Sequence, residues 1–298
     1  MSSRSDPRGV RRVNYVLLAA RKPRTLSEFQ TRRERTLMRW ERTLSPGVAA
    51  MFRKEGALVK ASLGTLQAGA RLHADRSLQW PEGENILVRV VQVFQRMRAA
   101  KTRLFRTVLK PVLEHFGKRL NGGLLDFGAT VDLTLVETRA VAFLDHHVPA
   151  MVGDIDTETL RRVATRVRTG IEKGLSHKEV AKSIQQLFTD MTIARAQTIA
   201  QTEMGIAAST GDYLAAAASG MELYKIWSNS RDEKVRPSHQ IREAVARDDR
   251  FSNGLRYPLD PEGPVAEIVN CRCAALFVPP DELNRWVSAR PDQLLTVR

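Results

Sequence analysis

Apolar residues recur at helical spacing along the first part of the chain, which predicts amphipathic helices. The first helix begins near Leu26 and is expected to end at Ser45-Pro46-Gly47, because proline and glycine interrupt the pattern there. A second helix is predicted over 48–70. The apolar face of the first helix consists of Phe29, Leu37, Trp40 and Leu44.

A long third helix is predicted after Gly83, since apolar residues from Ile86 to Leu120 fall on a single stripe. Pro111 should kink this helix, because proline lacks the N–H that the helix interior needs. The cluster Asn121-Gly122-Gly123 should end it. We therefore place a boundary between two regions of the chain near residue 125.

Beyond this boundary, the alternation of Val131, Leu133 and Leu135 predicts a short extended segment. Asp156 is a candidate N-cap for a later helix, and Ser176-His-Lys-Glu179 is typical of a capping box. Helices are predicted over 137–152, 157–173 and 190–218.

From Tyr224 onward the pattern changes to short apolar runs separated by turn residues, which predicts a small β-containing module. The expected fold class is α+β and mostly α-helical. We expect a basic helical region over 1–125, an α+β domain over 128–280 and a C-terminal tail over 281–298. A helix-like turn is expected in the tail around Asp281 to Ser288.

The positive charge of the chain is concentrated in its first half. Of 47 Lys and Arg and 33 Asp and Glu in total, residues 1–140 hold 27 and 12, which leaves 20 and 21 for residues 141–298. A region with this excess favours a polyanionic partner, and DNA is the first candidate. A solvated helix face and an acidic protein surface are the alternatives.

The sequence has no RNA-recognition aromatic signature, zinc-finger pattern or basic region followed by heptads. DNA contacts would therefore go to backbone phosphates and would not depend on base sequence. The candidate DNA-binding residues are Arg32, Arg33, Arg35, Arg39, Arg96, Arg98, Lys101, Arg103, Arg106 and Lys110.

The two cysteines, Cys271 and Cys273, are too close in sequence for an unstrained disulfide, so we expect a reducing compartment. No apolar run reaches the roughly 18 residues that a membrane span needs. The apolar stretch Val16 to Ala20 is too short for the core of a signal peptide. We expect neither secretion nor membrane insertion.

An ordered set of polar and aromatic residues lies between Arg195 and Cys273. It begins with Arg195-Ala196, Thr198 and Thr202-Glu203, and continues with Trp227, Asp232, Val235-Arg236 and His239. It ends with Phe251, Gly254, Pro258, Asp260-Pro261, Gly263-Pro264, Glu267 and Asn270-Cys271-Arg272-Cys273. This order and spacing resemble the phage minor head, or head morphogenesis, family typified by the F protein of phage Mu. The resemblance covers about residues 128–278.

The resemblance implies a structural protein present in few copies at the portal vertex inside a phage head. Its expected partners are the portal protein, a major capsid or scaffolding protein, and packaged double-stranded DNA. The expected locations are the host cytoplasm during assembly and then the interior of the virion head, with no membrane contact there. The role would lie in capsid assembly and in the packaging or ejection of DNA. A DNA-binding protein without a virion role is another interpretation of the charge.

His239, Cys271 and Cys273 are candidate zinc ligands, since imidazole and thiolate are common donors to this metal. The spacing of the cysteines is not that of a zinc knuckle, and we expect reduced, packed cysteines and no cofactor, with zinc as the alternative. The same cluster could serve a metal-dependent nuclease or peptidase, with His239 as a general base that Asp232 or Glu267 orients. The spacing indicates no complete catalytic set, so we predict no enzyme.

The remaining motif residues have structural explanations. Arg195, Thr202 and Glu203 lie on one predicted helix, and we expect each to pair with the β module. Asp232 and Arg236 are four residues apart and are expected to pair with each other. Trp227 is expected in the core.

Overall fold

The computed structural model describes residues 25–63, 86–175, 177–190, 192–283 and 296–297. Five long helices come first: α1 (Leu26–Leu63), α2 (Ile86–Leu125), α3 (Leu133–Glu172), α4 (His177–Asp190) and α5 (Thr192–Ala218). The rest is a small sheet with two short helical segments. These elements are β1 (Tyr224–Ser228), a 3-10 helix (Pro237–His239), β2 (Glu243–Ala246), α6 (Val265–Ile268), β3 (Ala274–Val278) and β4 (Thr296–Val297).

The helix α1 runs through Pro46, so the predicted end at residues 45–47 was wrong. Proline removes one backbone hydrogen bond, but packing can hold a helix together across that point. Leu44, Val48 and Phe52 are buried on one stripe that continues past the proline. The predicted helix over 48–70 is therefore the second half of α1 as far as Leu63, and its last residues lie outside the described part of the chain.

The helix α2 continues through the glycine cluster at 121–123 and ends at Leu125. The helix α3 is continuous where an extended segment and two helices were predicted. Its N-cap is Asp132, whose side chain accepts a hydrogen bond from the Leu135 backbone N–H at 3.0 Å. Asp156 is not a cap, because it lies inside α3 and pairs with the buried Lys101. The predicted cap residue Ser176 lies outside the described residues.

Helices from both halves of the chain share the largest core cluster. It joins apolar residues of α1 and α2, such as Phe52 and Phe116, to residues of α3 and α5, such as Leu144 and Met204. A second cluster joins α1, α2 and α3 to α4 through residues that include Val93 and Ile184. The helix α5 is buried without interruption from Thr202 to Asp212, as expected of the central helix of the bundle.

The sheet has the strand order β3-β1-β2-β4. The central strand β1 is antiparallel to β2 and β3, and β4 is parallel to β2. Ile226 of β1 lies opposite Ala244 of β2 and Leu276 of β3. The sheet packs near the C-terminal end of α5 through residues such as Ala215 and Phe277.

The structure confirms the predicted fold class, mostly α-helical α+β with a small C-terminal sheet. In the tail, Asp281 to Leu283 are helical and residues 284–288 lie outside the described residues. Among the helices that the structure describes, none combines the length and apolar character required to cross a bilayer. The boundary near residue 125 stays a prediction.

Candidate functional site

A histidine and two cysteines meet beneath the loops of the β module. His239 ends the 3-10 helix between β1 and β2, and Cys271 and Cys273 immediately precede β3. The three side chains are 1%, 4% and 4% exposed. His239 Nδ1 lies 3.5 Å from Cys271 Sγ and 3.6 Å from Cys273 Sγ. The sequence-predicted ligand trio is thus a compact, buried cluster.

A carboxylate lies beside the other nitrogen of the histidine ring, although the two are not aligned for a hydrogen bond. His239 Nε2 lies 2.7 Å from Glu267 Oε2, and the Ser238 hydroxyl donates to the same carboxylate oxygen at 2.8 Å. The ring of Trp227 packs edge-on against the imidazole, with centroids 5.1 Å apart. The imidazole therefore has polar neighbours at both of its nitrogens and an aromatic neighbour against its ring.

The two thiols affect each other's ionisation. A hydrogen bond from Cys273 lowers the pKa of Cys271 below its ordinary value, against the opposing effect of burial and with help from His239. The hydrogen bond between the two thiols, together with burial, raises the pKa of Cys273. The backbone N–H of Cys273 also points at Cys271 Sγ, at 3.4 Å. Such a cluster can bind a soft divalent cation or hold a thiolate.

The motif residues on α5 pair with different neighbours. Thr202 Oγ1 accepts from the Asn270 backbone N–H at 3.1 Å, as expected of a contact with the β module. Arg195 instead donates to Thr159 Oγ1 at 2.7 Å and to a carbonyl of α3. Glu203 lies 2.7 Å from His147, also on α3. The expectation that all three pair with the β module was wrong for Arg195 and Glu203, because α3 packs beside α5 and presents these partners.

The motif residues on the loops tie two segments together. Asp232 pairs with Arg272, so the expected pairing of Asp232 with Arg236 was wrong. Arg236 donates to the Val269 carbonyl oxygen at 2.5 Å. Asn270 has a φ of 60°, a left-handed conformation that asparagine tolerates better than most residues. These contacts hold the 229–240 loop against residues 269–273 and so position His239 beside the two cysteines. Trp227 is buried, as predicted.

Burial removes two members of the predicted DNA-binding set from the surface. Arg33 is 1% exposed and pairs with Asp212, and its guanidinium also donates to Ser209 Oγ at 3.0 Å. Lys101 is fully buried and pairs with Glu55 and Asp156. Their charges are met inside the helical bundle, so these two residues are corrected from DNA contacts to core ion pairs.

The other eight predicted DNA contacts lie at or near the surface. Arg32, Arg106 and Lys110 are half-exposed and pair with acidic neighbours on the same or an adjacent helix. The exposed members are Arg35, Arg39, Arg96, Arg98 and Arg103.

Sequence reasoning missed several partners of the cluster and the core. The sequence did not indicate the contacts of Ser238, His147 and Glu55, because each of these residues pairs with a residue far away along the chain. Asp232 and Glu267 were both candidates for orienting His239, and the fold places Glu267 beside it and Asp232 beside Arg272. A buried position on an apolar helix face, as for Glu55, is the one feature that could have indicated an internal ion pair.

A known protein family matches part of the chain. No curated protein and no solved structure matches the chain significantly. Residues 161–276 match the family described as Phage Mu protein F like protein. That range contains α4, α5, the His–Cys cluster and most of the sheet. Residues 161–276 of this chain therefore form a phage Mu F-like region.

Proposed function

We propose that this protein is a minor head protein that binds the portal vertex of a phage head and contacts packaged DNA through the basic faces of α1 and α2. The observation that carries the proposal is the joining of a Mu F-like region to two long helices with basic outer faces. The role is structural, and it belongs to capsid assembly and to the packaging or ejection of DNA.

The outer face of α1 is basic. At about 100° per residue, Arg35, Arg39 and Arg42 fall within a sector of about 60°. All three are exposed, and the sector lies roughly opposite the buried stripe that includes Leu44 and Val48. Arg53 and Lys60 extend the face and, with Lys182 of α4, line a groove of about 540 Å³. These cations face solvent, where they would attract phosphates.

The outer face of α2 carries cations at intervals of seven residues, at Arg96, Arg103 and Lys110. Seven residues return to nearly the same side of a helix, so these three form a stripe about 20 Å long. They lie opposite Met97, Phe105 and the rest of the buried side. A straight stripe of cations suits binding to a phosphate backbone without base readout.

The DNA part of the proposal is tested by removing this stripe. The full-length Arg96→Gln/Arg103→Gln/Lys110→Gln variant should bind duplex DNA more weakly. Its plot of log affinity against log salt should be shallower by about 0.9 for each phosphate that the variant no longer neutralises. The readout is fluorescence anisotropy over a salt series.

The matched control is Arg166→Gln/Arg168→Gln/Lys173→Gln, which removes the same charge from exposed positions at the C-terminal end of α3. It should leave the salt slope nearly unchanged. Equal weakening of binding in both variants would contradict a binding face on α2 and would assign the affinity to net charge alone.

The portal part is tested separately, by co-expressing the full-length chain with the portal protein of the same genome. We expect co-purification in about 0.3 M salt, where the screening length is only several ångströms and weak charge attraction fades. A portal from an unrelated phage serves as the control. The stripe variant should still co-purify, and failure of the wild-type chain to do so would contradict the portal role.

A further inference from the structure

We propose that His239 Nδ1, Cys271 Sγ and Cys273 Sγ bind one zinc ion. The ligand atoms lie within 4.8 Å of one another, and all three residues are buried. The proposal concerns the β module alone and holds whether or not the chain binds DNA.

The distances from the imidazole nitrogen to the two sulfurs already suit a tetrahedral zinc site. Zinc binds sulfur at about 2.3 Å and imidazole nitrogen at about 2.0–2.1 Å, so the nitrogen and sulfur ligands of one tetrahedron lie about 3.5 Å apart. The observed separations from His239 Nδ1 are 3.5 Å to Cys271 Sγ and 3.6 Å to Cys273 Sγ. An ion could enter with little movement of the three side chains.

The surroundings of His239 match those of a zinc-binding histidine. The second ring nitrogen of such a histidine usually donates a hydrogen bond to a carboxylate, which fixes the orientation of the ring and its tautomer. Here Glu267 occupies that place, at 2.7 Å from Nε2, and Ser238 holds the carboxylate in turn. Nε2 makes no aligned hydrogen bond in this arrangement, so a small rotation of the ring or of the carboxylate would be needed to join them. Nδ1 is the ring nitrogen that lies near both sulfurs and would bind the metal.

The donor set favours zinc over other cations. Two thiolates and an imidazole are soft or borderline ligands, whereas magnesium and calcium prefer oxygen donors. The Cys273 backbone N–H, 3.4 Å from Cys271 Sγ, would stabilise a metal-bound thiolate. The described residues provide three ligands, so a water molecule would complete the tetrahedron.

The ion would join two loops that the fold brings together across 32 residues of chain. His239 belongs to the loop after β1, and the cysteines immediately precede β3. Both loops lie against apolar residues such as Phe251 and Ile268, which would keep bulk water away from the thiolates. The site would therefore act as a structural cross-link in a module with only a small core of its own.

Metal analysis of the full-length protein tests the proposal. Protein purified without chelators and dialysed against zinc-free buffer should contain about one zinc per chain, because structural sites hold the metal tightly. Cobalt substituted for zinc should give the thiolate-to-metal charge-transfer absorption and the visible bands of a tetrahedral site. The Cys271→Ser/Cys273→Ser variant should lose both the zinc and this spectrum.

The control variant is His147→Asn, which breaks a contact of the same type between a partly buried histidine and Glu203. It should keep its zinc. If the double serine variant does not fold, His239→Cys provides the second test, since it should retain zinc through three thiolates. Glu267→Gln should weaken zinc binding by about 10–100-fold through the loss of the supporting carboxylate.

Two results would overturn the proposal. One is folded wild-type protein with less than about 0.2 zinc per chain even after incubation with zinc, since a structural site should fill nearly completely. The other is a zinc content that persists in the double serine variant, which would show adventitious binding elsewhere.

Discussion

Lys225 is a cation at the centre of the small sheet. It lies on β1 and is fully buried. Its ammonium donates to the carbonyl oxygens of Arg247, at 2.7 Å, and Asp249. Burial lowers the pKa of Lys225 to about 8, although Asp248, Asp249 and Asp260 partly oppose the shift. The folded protein therefore holds this proton less tightly than the unfolded chain does.

This difference predicts a pH-dependent stability. Between about pH 8 and about pH 10.5 the unfolded chain binds the proton of Lys225 more fully than the folded protein does, so the free energy of unfolding should rise with pH in that window. The gain in the free energy of unfolding is at most about 3.5 kcal/mol, since the pKa falls from 10.5 to about 8 and each unit corresponds to about 1.4 kcal/mol.

The measurement is urea unfolding of the wild type and of Lys225→Met over this pH range. The stability of the wild type relative to the variant should increase with pH. The exposed Lys234→Met is the control and should follow the wild type. Parallel curves for the wild type and Lys225→Met would show that Lys225 keeps an ordinary pKa.

Lys101 shows a second way in which the protein accommodates a buried cation. It lies between Glu55 of α1 and Asp156 of α3, and its ammonium is 4.8 Å from the centre of the Phe94 ring. Burial raises the pKa of Glu55, while the attraction of Lys101 lowers it. The ion pairs join α1, α2 and α3 in one place and so fix how these helices align.

At the scale of elements, the helices α2 and α5 approach each other closely. Gly211 of α5 faces the backbone of α2, where a Cβ would lie against the Leu113 carbonyl oxygen and 3.3 Å from Gly117 N. Glycine lets the two helix backbones approach, and a backbone carbonyl cannot rotate away as a side chain can. Gly117 lies inside α2 at this same contact.

Gly211→Ala should therefore reduce the free energy of unfolding by about 1–3 kcal/mol, the usual range for overpacking. Gly122→Ala and Gly123→Ala are the matched controls, because both glycines are helical and no atom would lie within 4 Å of the added Cβ. They should gain about 0.5–1 kcal/mol from helix propensity. Denaturant unfolding measures all three, and an unchanged Gly211→Ala would contradict the close approach.

At the scale of the whole molecule, the two regions that the sequence separates near residue 125 are packed into one helical bundle. The helix α5, which begins with the first motif residues, is covered by α1 and α2 through buried residues such as Ala200, Met204 and Ala208. The basic outer faces of α1 and α2 and the Mu F-like region are therefore connected through one core.

The shared core predicts that residues 128–298 alone lose the cooperative unfolding of the full chain, because the apolar face of α5 would be exposed to water. Thermal unfolding followed by circular dichroism compares the fragment with the full-length protein. A cooperative transition in the fragment at a similar temperature would instead establish residue 125 as the boundary of an independent domain.

The sequence by itself determined the fold class, the change from helices to a small sheet after residue 220, and the concentration of positive charge in the first half. Hydrophobic periodicity reveals the helices and the sheet, and composition reveals the charge, because these features depend only on local spacing or on residue content. The sequence also identified the Mu F-like region, because the order of the motif residues can be recognised without knowledge of their contacts.

Only the tertiary structure decided which of the predicted helix ends exist and which charged side chains are buried. Pro46 and the glycines of α2 lie inside helices because the apolar stripes on either side pack against the same neighbours. In the sequence, Arg33 and Lys101 look like surface cations. The fold places Asp212 beside Arg33, and Glu55 and Asp156 beside Lys101, although these acids lie far away along the chain. Likewise, the distances within the cluster of His239, Cys271 and Cys273 depend on how the loops fold over α5, which no spacing in the sequence encodes.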